Sequence, residues 1–128
     1  MAAAAVTWWA VGDLSYTGPS SFGPGLDHLI PPPDISPAAE QLIGTVAAAA
    51  GAAACGVLLR PGSSPRKDLR WLAVVLPLLA AAVLLGWGWR VLTAGVIGAN
   101  IGAGLAVAFG GPLVVAALLW SLIYSKQL

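Results

Sequence analysis

Residues 69–89 read LRWLAVVLPLLAAAVLLGWGW and carry a single charged side chain, Arg70. A helix of about 20 predominantly apolar residues is long enough to cross the hydrocarbon core of a bilayer. Pro77 lies inside this run, where it supplies no backbone donor, so we expect a kink and a carbonyl that must be satisfied nearby. The stretch therefore predicts a membrane-spanning helix.

Two further apolar stretches, residues 37–59 and 90–125, flank this one on either side. Across all 128 residues, 59% are hydrophobic and 9% are charged, whereas about 25% are charged in an ordinary soluble domain. A soluble fold could not cover its surface with the polar groups available here. The composition excludes a cytosolic globular enzyme, a nucleic-acid-binding module and a disordered chain. It predicts an all-α integral membrane protein with three transmembrane helices.

The distribution of basic residues predicts the orientation of these helices. Around the loop between the first two apolar stretches, the basic residues are Arg60, Arg66, Lys67 and Arg70. Short basic loops remain in the cytoplasm, whereas the N-terminal tail has acidic residues and no Lys or Arg. Arg90 is the exception, and we expect it at the outer interface with its side chain extended toward lipid headgroups. The predicted topology is N-out and C-in.

These considerations divide the chain into six predicted segments. They are an extracytoplasmic Pro/Gly-rich tail (1–36), a first transmembrane helix (37–59), a cytoplasmic basic loop (60–68), a second helix (69–89), a long third helix (90–125) and a cytoplasmic end (126–128). Aromatic side chains of the type that anchor helices at membrane interfaces flank the second and third helices: Trp71, Trp87, Trp89, Trp120 and Tyr124.

The first predicted helix has a clear start and then consists almost entirely of small residues. Ser36 suits the N-cap, Pro37 suits the first helical position, and Glu40 lies in the first turn, where the helix dipole favours an acid. A proton-relay or ion-binding role for Glu40 is the alternative. Glycine and alanine then recur four residues apart, a spacing that allows helices to approach closely in lipid, with the glycines at Gly44, Gly51 and Gly56.

The third apolar stretch carries a second set of small residues, together with one polar residue. Its packing stripe consists of Gly98, Gly102, Ala106 and Gly110. Asn100 lies on the opposite side of the helix, at 100° per residue. Its side chain needs a hydrogen-bond partner, and we expect an interhelical hydrogen bond, with a place in a polar pathway as the alternative.

The third apolar stretch is longer than the membrane is thick, and Gly110-Gly111-Pro112 is a natural break in it. Either a kinked helix projects outward, which we favour, or its first part is re-entrant.

The N-terminal tail combines prolines and glycines with apolar side chains. Residues 1–12 are expected to form an interfacial helix or to lie on a partner, and a cleaved signal peptide is not expected because no basic n-region precedes them. Segments of this kind become ordered by wrapping a partner; lying on the membrane and disorder are the alternatives. The residues expected to contact the partner are Trp8, Trp9, Phe22, Pro31, Pro32 and Pro33.

Catalytic and cofactor-binding patterns are absent from the sequence. With one cysteine, Cys55, and one histidine, His28, the chain cannot form an intrachain disulfide, a zinc site or a bis-histidine haem site from its own residues. We therefore expect no enzyme activity and no cofactor of its own, although a partner could bring haem or quinone nearby. His28 could alternatively ligate a partner's metal.

The sequence thus predicts a non-catalytic accessory subunit of a larger bacterial membrane complex, respiratory or transport-related, with larger integral subunits and lipids as partners and no nucleic acid. Its Ala- and Gly-lined surface exceeds what three helices can cover among themselves. The alternatives are a holin-like homo-oligomeric pore, and a small transporter or antiporter component that uses Asn100 and Glu40. The expected location is the bacterial inner membrane.

Overall fold

The computed structural model describes residues 1–15, 28–58, 69–95 and 99–127, and within these ranges every regular element is helical. The helices are α1 (Ala2–Val11), α2 (Pro37–Leu58), α3 (Leu72–Thr93), α4 (Ala99–Leu105) and α5 (Gly111–Ser125). A single 3₁₀ turn, Leu69–Trp71, precedes α3, and a π-helical turn, Ala106–Gly110, joins α4 to α5. Three stretches are long and apolar enough to cross a membrane: Pro37–Val57, Leu72–Thr93 and Ile101–Ser125.

Helix α2 begins as its sequence predicts. The Ser36 side-chain oxygen accepts a hydrogen bond from the Ala39 N–H at 3.2 Å, so Ser36 is the N-cap. Pro37 is the first helical residue and Glu40 lies in the first turn. The Ser36 cap therefore sets the residue at which this helix begins.

The boundary between the second and third spans differs from the expected one. Helix α3 continues past Trp89 to Thr93 and so includes Arg90, and the next described helix begins at Ala99. The third apolar stretch is therefore shorter than the sequence suggested, because its first residues complete α3. At the expected break, the helical turn widens to π geometry over Ala106–Gly110, and Pro112 occupies the first turn of α5, where its missing N–H is tolerated.

The N-terminal segment forms a helix that packs within its own chain. Helix α1 lies against both α2 and α3. A Cβ on Gly86 would lie 2.3 Å from the Ala4 carbonyl oxygen, and a Cβ on Gly44 would lie 2.1 Å from Trp9 Cγ. Both contacts require a hydrogen atom in place of a side chain. Helix α1 ends at Gly12, whose φ of 68° is readily adopted by glycine and strained for other residues.

Helices α3 and α5 form the other packed pair. Pro77 lies inside α3, and its missing N–H leaves the Ala73 carbonyl, four residues earlier, without its helical donor. The Trp120 indole Nε1–H of α5 donates to that carbonyl at 3.2 Å. Next to it, the Ser121 hydroxyl lies within hydrogen-bond distance of two carbonyl oxygens, that of Ala117 on its own helix at 2.8 Å and that of Val74 on α3 at 3.1 Å. The carbonyl freed by the proline is thus satisfied by the neighbouring helix.

Candidate functional site

Arg90 connects three helices at the end of the bundle where α2 begins and α3 ends, here called the Arg90 end. Its side chain is buried, at 10% exposure. The guanidinium donates from Nε to the Trp8 carbonyl of α1 at 2.7 Å and forms an ion pair with the Glu40 carboxylate of α2. A buried charge is tolerated when it is paired and hydrogen-bonded. The expectation that Arg90 extends toward lipid headgroups is wrong, because Glu40 and α1 offer it closer partners.

The interaction with Trp8 has two components. The Arg90 Cζ atom lies 4.3 Å from the Trp8 ring centroid, a cation–π arrangement. The Trp8 carbonyl is one of the last four of α1, which have no helical donor of their own. A positive charge there also complements the helix dipole. Arg90 therefore caps the C-terminus of α1 while it is paired with the first turn of α2.

Connecting segments cover the C-terminus of α3 beside this ion pair. The Ile30 N–H donates to the Leu92 carbonyl at 3.2 Å, and His28 Nδ1 lies 3.2 Å from the Thr93 carbonyl oxygen. The Gly95 N–H donates to the Ser15 hydroxyl oxygen at 3.0 Å. The terminal carbonyls of α3 thus find partners in residues far away along the chain.

Asp13 is the second acid at the Arg90 end. Hydrogen bonds from the Ser15 side chain and backbone N–H lower the pKa of Asp13 below its usual 3.8, and the charges of Arg90 and His28 act in the same direction. Its pKa is lowered by folding, so its contribution to stability is present above pH 3.8 and is lost as the pH falls below that value.

A polar cavity of about 170 Å³ is lined by Asp13, Glu40, Arg90 and Thr93, among others.

The predicted helix-packing residues divide into two groups. Gly44 is buried against Trp9 of α1. At four other positions a Cβ would meet no heavy atom within 4 Å: Gly51, Gly56, Gly102 and Gly110. Ala106 lies with Gly110 along an apolar groove of about 350 Å³ between α3 and the α4–α5 segment. Gly98 lies outside the described residues, as does the side chain of Asn100 in the first turn of α4.

The predicted interface residues lie near the helix ends. Trp71 precedes α3, whereas Trp87 and Trp89 are exposed near its C-terminus. Trp120 and Tyr124 stack with ring centroids 5.8 Å apart near the end of α5. Arg70 is exposed in the turn before α3. Arg60, Arg66 and Lys67 lie outside the described residues.

The predicted partner-contacting tail is placed largely on this chain itself. Trp8 meets Arg90, and the Trp9 indole donates to Gln41 Oε1 at 3.2 Å. Pro32 and Pro33 line the polar cavity, and Pro31 is exposed. Phe22 lies outside the described residues.

Sequence reasoning missed the pairing of Glu40 with Arg90. Among Asp, Glu, Lys and Arg, the three candidate spans contain just these two residues. Charged residues within spans pair with one another. Each residue lies one turn inside its span. An antiparallel arrangement of the two spans brings these ends together, so the positions of the two charges predict the ion pair.

The site can hold helices together and can offer charged groups to a small polar ligand. Within the described ranges, no three residues among His, Cys, Asp and Glu are grouped so as to hold a metal ion. Comparison of the chain with protein-family models, curated proteins and solved structures finds no match.

Proposed function

We propose that this protein is a non-catalytic accessory subunit of a larger membrane protein complex, respiratory or transport-related, that binds larger integral subunits through its small-residue helix faces. The observation that carries this proposal is the contrast between two sets of glycines. Gly44 and Gly86 accommodate α1 so closely that no side chain would fit. Gly51 and Gly56, about two and three turns beyond Gly44 on the same helix, meet nothing within 4 Å of a Cβ.

The open half of α2 supports an interaction with another chain. Its exposed residues between Gly51 and Val57 are almost all alanine or glycine, and α2 is the least apolar of the three candidate spans. Of the 18 consecutive residues that are most apolar in each span, 11% are buried. Because lipid provides no hydrophobic drive for helix association, close backbone approach along small residues is the usual basis of such contacts.

For the cellular setting we propose a bacterial inner membrane with the N-terminus outside and the C-terminus in the cytoplasm. The basic residues between α2 and α3, with Arg70 at the start of α3, support this orientation. The ion pair of Arg90 with Glu40 supports the same orientation, since an arginine paired with a carboxylate counts less as a positive charge on the outer side. The Ala-, Gly- and Trp-rich composition supports a bacterial source.

Affinity purification tests the proposal. The full chain, tagged at its C-terminus and extracted from its native membrane in mild detergent, should co-purify with integral membrane subunits in fixed stoichiometry. The double variant Gly51→Leu/Gly56→Leu should lose those subunits because each isobutyl group blocks close approach on one of two open small-residue faces of α2, which lie about 140° apart. Its thermal midpoint should stay unchanged because both positions are open within the chain.

The control variant is Ala116→Leu, an exposed small-to-large change on α5 among bulky neighbours. It should retain the partners. The proposal is wrong if the wild-type chain runs as a monodisperse monomer, or if the Gly51/Gly56 double variant keeps its partners. Recovery of further copies of this chain alone would favour the homo-oligomeric alternative.

A further inference from the structure

Two adjacent cavities lie at the Arg90 end and share the lining residues Trp8, Pro33 and Ile35. The larger one, of about 330 Å³, is an open apolar groove bounded by Ala4 and Ala5 of α1 and by Leu85 and Trp89 of α3. The smaller one is the polar cavity of about 170 Å³ beside Asp13, Glu40 and Arg90. A ligand that occupies both must be apolar at one end and polar at the other.

The depth of the two cavities matches that of a lipid molecule. Glu40 is the fourth residue of its candidate span, and Arg90 is the fourth from the end of its own. At about 1.5 Å per residue, both lie about 5 Å inside the span ends, at the boundary between headgroups and acyl chains. Leu85 and Ala5 lie about a turn deeper, at the depth where acyl chains begin.

The charges around the polar cavity favour a cation. Asp13 and Glu40 contribute two negative charges and Arg90 contributes one positive charge, so the formal sum is −1. The Arg90 guanidinium already donates to Glu40 and to the Trp8 carbonyl. An incoming phosphate would therefore meet two carboxylates beside a single guanidinium that is already paired with one of them. A primary ammonium group, by contrast, would gain a carboxylate partner at Asp13 and could donate three hydrogen bonds.

We propose that the two cavities form a binding site for a phospholipid with a primary-ammonium headgroup. The ammonium group occupies the polar cavity and faces Asp13 and Glu40, and an acyl chain lies in the apolar groove against Ala5 and Leu85. This site is independent of the small-residue face of α2, since the two share no residue.

Native mass spectrometry of the full chain tests this proposal. The delipidated protein is titrated with phosphatidylethanolamine, phosphatidylcholine and phosphatidylglycerol that carry identical acyl chains. Phosphatidylethanolamine should bind about fivefold more tightly than the other two, the ratio that corresponds to one hydrogen bond of typical strength. Phosphatidylcholine separates hydrogen-bonded ammonium recognition from net charge, because its quaternary nitrogen cannot donate.

Two variants, each with a matched control, locate the ligand. Asp13→Asn should remove the headgroup preference, whereas Asp34→Asn, an exposed aspartate in the segment before α2, should keep it. Ala5→Leu should weaken binding of all three lipids by filling the groove, whereas Ala10→Leu, on the exposed side of α1, should not. Equal binding of the three lipids by the wild-type chain, or a preference that survives Asp13→Asn, would overturn the proposal.

Discussion

At the scale of the residue, the single side chain of Arg90 makes contacts with two other helices. It caps α1, stacks on the Trp8 ring and forms an ion pair with the first turn of α2. Arginine suits this role because its planar guanidinium presents several donors in fixed directions and keeps its charge when buried. Lysine, with one compact ammonium group, could not make the same set of contacts at once.

Removing one partner of this ion pair should destabilise the protein. Arg90→Met should lower the free energy of unfolding by about 2–4 kcal/mol, because Glu40 then keeps a partly buried charge without its partner. Glu40→Gln should cost less, since the glutamine amide oxygen can still accept a hydrogen bond from the Arg90 guanidinium. The double variant should lose less than the sum of the two. Unfolding in mixed micelles measures all three, and the exposed Lys126→Met is the control, expected within about 0.5 kcal/mol of wild type.

Gly86 and Gly88 provide a matched pair on α3. Gly86→Ala should lower the free energy of unfolding by about 1–3 kcal/mol, because its new Cβ would overlap the Ala4 carbonyl. Gly88→Ala meets nothing within 4 Å and should be neutral or stabilising by up to about 1 kcal/mol through helix propensity. Chemical unfolding compares the two, and equal effects would contradict the close packing of α1 on α3.

At the scale of the element, the pairing of α3 with α5 is organised around a backbone defect. A proline inside a membrane helix leaves a carbonyl that cannot turn to water. The Trp120 indole reaches the Ala73 carbonyl, and the Ser121 hydroxyl reaches that of Val74. The proline thus creates an acceptor on α3 that specifies where α5 must lie.

A double-mutant cycle tests this interaction. Trp120→Phe should cost about 0.5–1 kcal/mol, the usual worth of one interhelical hydrogen bond. In a Pro77→Ala background the cost should fall, because the backbone N–H restored at position 77 donates to the Ala73 carbonyl itself. Thermal unfolding gives both values, with the exposed Trp87→Phe as control. An identical cost in both backgrounds would show that the indole does not compensate for the proline.

At the scale of the whole molecule, α1 is the element that connects the bundle. It packs on both α2 and α3, and α3 in turn packs on α5. Glu40 and Arg90 supply the further link between α2 and α3 at the same end. The far half of α2 is therefore positioned through contacts made near its N-terminal end.

Displacing α1 should release α2 while leaving the α3–α5 pair intact. In a Cys55→Ser background, spin labels at Val57→Cys and Leu76→Cys report the distance from α2 to α3, and labels at Leu76→Cys and Leu119→Cys report that from α3 to α5.

The double variant Gly44→Leu/Gly86→Leu should broaden the first distance distribution in nanodiscs and leave the second unchanged, as measured by pulsed electron resonance. An unchanged first distribution would mean that α2 is held without α1. Broadening of both would mean that the bundle has lost its fold.

The sequence predicted three apolar helices, the Ser36 cap and the unsatisfied carbonyl at Pro77, because each follows from local composition or backbone chemistry. It did not predict that α1 packs against α2 and α3 of its own chain. A run of alanines with two tryptophans has no polar face to distinguish a surface position from an internal one. The partner of Arg90 was missed for a related reason: the pairing depends on how helices far apart in sequence are brought together.

The position of α1 has a consequence for how the protein is made. This helix leaves the ribosome before α2 and α3, yet the glycines that receive it belong to those two later helices. It can therefore complete its contacts only after those two segments have been synthesised and positioned. Of these three helices, the one translated earliest is then the last to complete its packing.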